Sequence, residues 1–206
     1  MLALEELSEF ADSVFVEDTA IVLDTVAVLT RPGAASRQGE VESMSAALAP
    51  FRERVAIQAP ATLDGGDVLR LDRVIHVGAS ARSNADGIEQ LRRLVAPFGY
   101  RVVAVAMDGC LHLKTAVTQV AQDCLLINPA WVDAGRFPGY KILAVHPDEP
   151  FGANAVWVGE CALYSASFPR TAQMLRDAGI DLRLVDMSET EKAEGGVTCC
   201  SVIFDR

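Results

Sequence analysis

The sequence lacks the features that would place it among nucleic-acid-binding or membrane proteins. It has no Lys/Arg-rich run, and its formal net charge at pH 7 is −10 over 206 residues. Nucleic acids and anionic membranes both select clustered positive charge, so we expect neither as a partner. No apolar stretch is long enough to span a membrane, and the N-terminus MLALEELSEF lacks the basic start and apolar core of a signal peptide. These absences predict a cytoplasmic protein, and the acidic balance suits a small cationic ligand.

Disulfide scaffolding is also missing. The five cysteines are an odd number, include no C-x-x-C pair and predict reduced thiols that mostly fill the core. Cys199 and Cys200 differ from the others because they are adjacent and follow a double glycine in EGGVTCCSVIF, residues 194–204. If this run is a buried strand, successive side chains point to opposite faces, so only one of the two thiols enters a site. Cys199 is the candidate, because the flexible glycines lie on its side.

A strand-strand-helix-strand pattern recurs four times along the chain. In the second unit, GDVLRLD and RVIHVGAS predict strands, NADGIEQLRRLVAPFG predicts a capped helix and YRVVAVAM predicts the third strand. Units of roughly 35 to 50 residues are typical of structural repeats. After the fourth unit only GGVTCCSVIFDR remains, so a fifth unit would have no helix. The pattern alone fits both a ring of units and an open α/β sheet.

Acidic residues cluster at unit starts and turns, where sites are commonly built on loops. If DSVFVED, residues 12–18, is a strand, Asp12 and Asp18 share one side and Glu17 lies on the other. In LDGGDVL the glycines alone fit a hairpin turn, which leaves the acids at both ends unexplained. The acids taken together therefore favour a site over a set of solvated strand ends.

Taken alone, the three histidines are best explained as core residues. His112 lies between leucines in GCLHLKTAV, at the head of a predicted strand, and such a histidine is more often buried than catalytic. His76 and His146 keep this interpretation. For His112, the surrounding stretches give a second interpretation, as a catalytic residue.

Five stretches, in chain order, resemble the successive signatures of one enzyme family: ADSVFVEDTAIV, TRPGAASRQGEV, TLDGGDVL, CLHLKT and MSETEKAEGGVTCCSV. The family is dimethylarginine dimethylaminohydrolase, of the guanidino-group-modifying (pentein) superfamily, and the resemblance runs from about Leu7 to the C-terminus. It implies an α/β fold, a pentein-type propeller of strand-strand-helix-strand units in a pseudo-fivefold arrangement. Four units are then complete and the fifth is incomplete, within a single catalytic domain over residues 1–206.

The resemblance also implies residue roles. The nucleophile is Cys199, with Cys200 turned away, and the catalytic histidine is His112. The acid that orients this histidine is Asp64, which leaves Asp67 as a structural residue. The implied substrate-binding residues are Asp12 for the amino-acid end, Glu17 and Asp18 for the guanidinium, and Arg37 and Arg82 for the carboxylate.

The implied reaction is hydrolysis of Nω-methylated arginine to citrulline and dimethylamine through a covalent cysteine intermediate, with no metal and no organic cofactor. Related arginine and agmatine deiminases typically have Asp two residues after the catalytic histidine, where this chain has Lys114. An arginine deiminase-like hydrolase is the alternative. A non-catalytic relative that binds arginine analogues is a further one.

The chain departs from the family pattern at its start. Relatives carry a strand, a lid loop and a helix before DSVFVED, and here only MLALEELSEFA precedes it. A misplaced start, a truncated chain and a naturally short relative all fit this difference. An incomplete fifth unit would leave an unpaired sheet edge, which predicts weak activity and a homo-oligomer or poor solubility.

Overall fold

The computed structural model describes residues 2–205 and contains four three-stranded sheets. In the first, third and fourth sheets, the first two strands pair antiparallel and the third runs parallel to the second. The strands are β1 (Ala20–Val22), β2 (Val26–Leu29) and β3 (Glu53–Ala56); β4 (Val68–Leu71), β5 (Val74–Ala79) and β6 (Arg101–Ala106); β7 (Val117–Ala121), β8 (Cys124–Ile127) and β9 (Lys141–Ala144); β10 (Ala155–Val158), β11 (Cys161–Ser165) and β12 (Leu182–Val185).

The predicted repeat of four units is confirmed. A helix precedes the third strand in the first, second and fourth sheets, and a short 3-10 turn, Ala134–Arg136, takes that place in the third. The helices are α1 (Val41–Leu48), α2 (Ala85–Val95), α3 (Leu113–Ala116) and α4 (Pro169–Asp177). No helix in the described part of the chain combines the length and the apolar character that a membrane span needs.

Helix α2 shows how the sequence specifies these elements. The Asn84 side chain caps its first turn by accepting a hydrogen bond from the N–H of Gly87, at 2.8 Å. Ile88, Leu91 and Val95 recur at helical spacing and are buried. The chain then leaves the helix through a 3-10 turn that ends at Gly99, whose φ of 79° favours glycine.

The chain divides into two compact units. The first comprises the residues up to Ala104 together with those from Cys199 onward, and the second comprises Val105–Thr198. Each has its own apolar core, formed around Val26, Ile75 and Leu91 in the first and around Leu126 and Tyr164 in the second. The expectation of a single catalytic domain over residues 1–206 stays a prediction.

Three strand predictions are wrong. Residues 12–15 form a turn that leads into a 3-10 helix, Val16–Thr19, so the proposed alternation of acids along a strand fails. His112 directly precedes the short helix α3 and does not head a strand. Residues 195–205 form turns and irregular backbone, which removes the alternation argument for the two cysteines. The turn at Phe15 and the segment that contains Thr198 are held by side chains distant in sequence, those of Arg37 and Asn154, which override local β-propensity. At His112 the bond is local, since its carbonyl accepts the N–H of Thr115 and so closes a helical turn.

The C-terminal residues belong to the first unit. Val202 and Phe204 pack against a small apolar cluster that contains Met44 and Leu48 of α1. The Arg52 guanidinium also donates a hydrogen bond to the carbonyl of Asp205. These contacts bring the chain that carries Cys199 onto the first unit.

Candidate active site

A buried acid lies at the centre of the first unit. Asp18, on the 3-10 turn Val16–Thr19, is only 5% exposed. One carboxylate oxygen lies 2.5 Å from Nη1 of Arg37, and the other accepts the backbone N–H of Gly66 at 2.9 Å. Glu17, the preceding residue, is also buried. Because both carboxylate oxygens of Asp18 are held, its orientation is fixed before any ligand arrives.

Arg37 is the residue that holds Asp18. Its Nε and Nη2 atoms donate to the carboxylate of Glu40, at 3.1 and 2.7 Å, and Nη2 also donates to the carbonyl of Phe15 at 2.9 Å. Burial alone would lower the pKa of Arg37, but the hydrogen bonds to Glu40 and the charge of Asp18 outweigh it and raise the pKa. Its expected role as a carboxylate ligand of the substrate stays a prediction, and these contacts give it a second task.

Glu40 is a buried member of this cluster that the sequence analysis missed. The sequence did carry a signal for this contact, because Arg37 and Glu40 are three residues apart and side chains at that spacing are neighbours on a helical turn. Glu17, Asp18 and Glu40 are three buried carboxylates against one buried guanidinium, that of Arg37. The cluster has a formal excess of negative charge, which favours a cationic ligand.

Asp64 is fully buried and is held from two sides. Its Oδ1 atom accepts the N–H of Gly33 at 2.8 Å, and its own N–H donates to Oγ of Ser83 at 3.1 Å. Nη1 of Arg82 lies 3.7 Å from its Oδ2 atom, and the Arg82 side chain is 29% exposed. Arg82 is therefore the more accessible of the two arginines that the sequence analysis proposed.

Asp67 shapes the loop that carries Arg82. It is fully buried, and its Oδ2 atom accepts hydrogen bonds from the hydroxyls of Ser80 and Ser83, at 2.5 and 2.6 Å. The hydroxyl oxygen of Ser80 in turn accepts the N–H of Arg82 at 3.0 Å. Asp67 thus acts through the backbone of residues 80–83, which agrees with a structural role.

The double glycine beside Asp64 is not a hairpin turn. Gly65 begins a 3-10 turn, Gly65–Asp67, and a Cβ atom added to it would collide with the carbonyl oxygen of Glu17. Glycine is needed here for close approach of two backbones. The approach brings the turn of Asp64 against the turn of Asp18.

A backbone hydrogen bond joins the acidic turn to the cysteines. The N–H of Glu17 donates to the carbonyl of Cys199 at 3.0 Å, and both Cys199 and Cys200 are partly exposed. Burial raises the pKa of the Cys200 thiol, and the negative charge of Glu17 raises it further. Since the thiolate is the nucleophilic form, Cys200 is disfavoured as a nucleophile.

The remaining site residues differ in their surroundings. Asp12 is exposed, and its carbonyl accepts the N–H of Phe15 at 2.9 Å. His112 lies in the second unit, is buried, and has the extended backbone of a residue that precedes a helix. Its carbonyl accepts the N–H of Thr115 at 3.0 Å. The first unit therefore contains seven of the eight predicted site residues: Asp12, Glu17, Asp18, Arg37, Asp64, Arg82 and Cys199.

Known proteins resemble this chain over most of its length. A family model described as arginine deiminase matches residues 6–150. N(G),N(G)-dimethylarginine dimethylaminohydrolase of Streptomyces coelicolor is 43% identical over 204 residues, which cover 98% of this chain and 78% of that protein. The protein of the same name from Pseudomonas aeruginosa is 35% identical over 199 residues, covering 95% and 78%. A solved structure of the Pseudomonas aeruginosa protein, a cysteine-to-serine variant complexed with citrulline, has a TM-score of 0.89 at 34% identity and covers 93% of this chain and 76% of that one.

Proposed function

Because this chain belongs to the dimethylarginine dimethylaminohydrolase family and has a pentein-type α/β fold, we propose that it hydrolyses Nω,Nω-dimethylarginine to citrulline and dimethylamine. The observation that carries this proposal is the pair of buried acids, Glu17 and Asp18, tied by a backbone hydrogen bond to Cys199. A guanidinium seated on these acids presents its carbon to the thiol.

The substrate's two ends call for different partners. The guanidinium is a delocalised cation, and the excess of carboxylates around Asp18 matches it. Arg82 is assigned to the substrate carboxylate because its side chain is accessible and its planar guanidinium pairs bidentately with such a group. Asp12, which is exposed, is assigned to the substrate's amino group. Arg37 keeps Asp18 in place.

The chemistry proceeds in two steps. The Cys199 thiolate adds to the guanidinium carbon, and His112 protonates the dimethyl-substituted nitrogen, so dimethylamine leaves and an S-alkylthiouronium remains on the sulfur. His112 then takes a proton from water. The water oxygen adds to the same carbon, the C–S bond breaks, and citrulline and the thiolate are released. We assign Asp64 to orienting the imidazole, as the resemblance implies.

Arginine deiminase activity is the second candidate, favoured by the family model that matches residues 6–150. Both reactions yield citrulline, but the deiminase reaction releases ammonia. Lys114 stands where deiminases typically have an acid for the unsubstituted end of the guanidinium. This chain therefore has one carboxylate fewer than a typical deiminase for binding the guanidinium of free arginine.

The test is a product assay that separates the two amines. The purified chain is incubated with dimethylarginine, monomethylarginine, arginine and agmatine, and citrulline, dimethylamine and ammonia are each quantified. We expect stoichiometric citrulline and dimethylamine from dimethylarginine, and no product with Cys199→Ser. Faster release of ammonia from arginine would assign the chain to the deiminases. Binding of dimethylarginine by calorimetry without turnover would make it a non-catalytic relative.

A further inference from the structure

The segment that carries the proposed nucleophile, residues 195–200, lies outside the strands and helices of the fold. It consists of turns and irregular backbone, and residues 201–205 continue in irregular backbone. A thiol that must meet a carbon centre needs its backbone fixed, because misplacement by about 1 Å costs about 100-fold in rate. We call residues 195–200 the nucleophile segment. A side chain 44 residues earlier in the chain binds Thr198 within this segment.

Asn154 makes three hydrogen bonds from a single buried amide. Its Oδ1 atom accepts the N–H of Thr198 at 3.0 Å, and its Nδ2 atom donates to the hydroxyl of Thr198 at 3.0 Å and to the carbonyl of Lys114 at 3.1 Å. Asn154 is 8% exposed. The amide thus holds Thr198 by its backbone N–H and by its hydroxyl, and it also reaches Lys114 in α3, the helix that follows His112.

The orientation of the Asn154 amide is determined by its surroundings. A reversed amide would turn its NH2 group toward the N–H of Thr198, so only one orientation satisfies all three bonds. Thr118 fixes the backbone on both sides, since its hydroxyl donates to the carbonyl of Ala153 at 2.6 Å and accepts the N–H of Ala155 at 3.0 Å. A Cβ atom at position 196 would collide with Oδ1, so glycine is required there.

We propose that Asn154 is a positioning residue for the reaction. It ties Thr198, directly before Cys199, to Lys114, two residues after His112, and so holds the backbone that carries each of the two groups. It acts through Thr198 and Lys114, to which its three side-chain hydrogen bonds run. The inference rests on the proposed function for the roles of Cys199 and His112, and the contacts of Asn154 are independent of it.

Removal of the amide should affect turnover more than binding. Asn154→Ala leaves the N–H of Thr198 and the carbonyl of Lys114 without their side-chain partner, so the nucleophile segment loosens. We expect kcat to fall by about 100-fold. KM should change by less than about threefold, because the acids and Arg82 that bind the substrate are held by other contacts. Asn154→Asp retains an acceptor for Thr198 and should keep kcat within about tenfold of the wild-type value.

Asn128→Ala is the matched control. Asn128 is a comparably buried asparagine of the same unit, 4% exposed. Its amide donates to the carbonyl of Pro150, 22 residues away, at 2.8 Å and accepts the N–H of nearby Ala130 at 2.9 Å. It contacts neither Thr198 nor Lys114 through these bonds. Its substitution should lower stability to a similar extent and leave kcat unchanged.

The experiment measures kcat and KM for dimethylarginine, the urea midpoint and amide hydrogen exchange by mass spectrometry in all four proteins. Exchange in the nucleophile segment and in residues 113–116 should quicken by about tenfold in Asn154→Ala and stay at the wild-type rate in Asn128→Ala. Hydrogen exchange does not depend on which substrate is turned over. It therefore tests the role of Asn154 even if the proposed function is wrong. Equal kcat for the two alanine variants, unchanged exchange in the segment, or an aspartate variant no better than alanine would each overturn the inference.

Discussion

Two arginines of the candidate site carry the same charge in different surroundings. Arg37 is buried between Asp18 and Glu40, while the Arg82 side chain is 29% exposed. The family resemblance implied the substrate carboxylate as the ligand of both, and residue type does not report burial. Their different surroundings come in part from the contact of Arg37 with Glu40, since the spacing of these two residues was visible in the sequence and the burial of Glu40 was not.

The two arginines should therefore respond differently to the same substitution. Arg37→Gln removes the cation that compensates two buried carboxylates, so we expect the free energy of unfolding to fall by about 3–5 kcal/mol. Arg82→Gln should cost less, about 1 kcal/mol, because its contact with Asp64 is long and its side chain is partly exposed. It should raise KM for dimethylarginine with little change in kcat. Urea denaturation and steady-state kinetics measure both. A wild-type unfolding midpoint for Arg37→Gln would contradict the role assigned to it.

The two adjacent cysteines should also be unequal. Cys199→Ser is expected to abolish turnover, whereas Cys200→Ser should leave most of it, because burial and the charge of Glu17 hold the pKa of the Cys200 thiol above its ordinary value. Rates with dimethylarginine test this, with labelling by iodoacetamide at pH 7 as a second measurement. Complete loss of activity in both variants would show that Cys200 has a catalytic task as well.

At the scale of elements, the regular strands and helices were predictable and the turns that carry the site were not. Helix α2 was specified by residues within it and directly beside it, from the Asn84 cap to Gly99. The turn before Thr19 and the nucleophile segment are held by distant partners, Arg37 for the first and Asn154 for the second. A local sequence pattern predicts local structure, but the structure of these two segments depends on contacts with distant residues.

The contact between two such turns gives a prediction. Gly65→Ala should push the turn of Asp64 away from Glu17, which we expect to cost about 1–3 kcal/mol of stability and to reduce kcat. Gly99→Ala is the control, since it meets no atom but has a φ of 79°, and its cost of about 1–2 kcal/mol should leave kcat unchanged. Both are measured by urea unfolding and turnover. If the two variants had the same kcat, the approach at Gly65 would be structural only.

At the scale of the whole molecule, composition and repeat count were informative. The net charge of −10 favoured a cationic ligand, and the described residues do contain a buried cluster rich in carboxylates. Four repeats in the sequence correspond to four sheets. The division of the chain after Ala104 left no trace in the sequence, because it falls inside strand β6, where the residues on both sides are apolar.

Stability should fall at alkaline pH. Burial raises the pKa values of four thiols and phenols, those of Tyr100, Cys124, Tyr164 and Cys200. A group whose pKa is higher in the folded state stabilises that state below its unfolded value and loses this contribution as pH rises through the folded value. The ordinary values are 9.0 for these thiols and 10.0 for these phenols, so the loss begins near pH 9.

Urea midpoints between pH 7 and pH 10.5 measure this loss. Tyr164→Phe should lower the midpoint at pH 7, because the hydroxyl donates to the carbonyl of Gly152 at 2.6 Å, and should flatten the decline above pH 10. A midpoint that is constant across this range in the wild-type chain would contradict the direction of these pKa shifts.

The close backbone approaches at Gly65 and Gly196 also determine how tolerant the chain is to mutation. In a saturation library, both positions should return only the parental residue, because a Cβ atom would collide with the Glu17 carbonyl in one case and with Asn154 in the other. Neither glycine offers a functional group to the reaction. A map of mutational tolerance would therefore mark them as strongly as Cys199, and the chemistry of this protein cannot be read from intolerance alone.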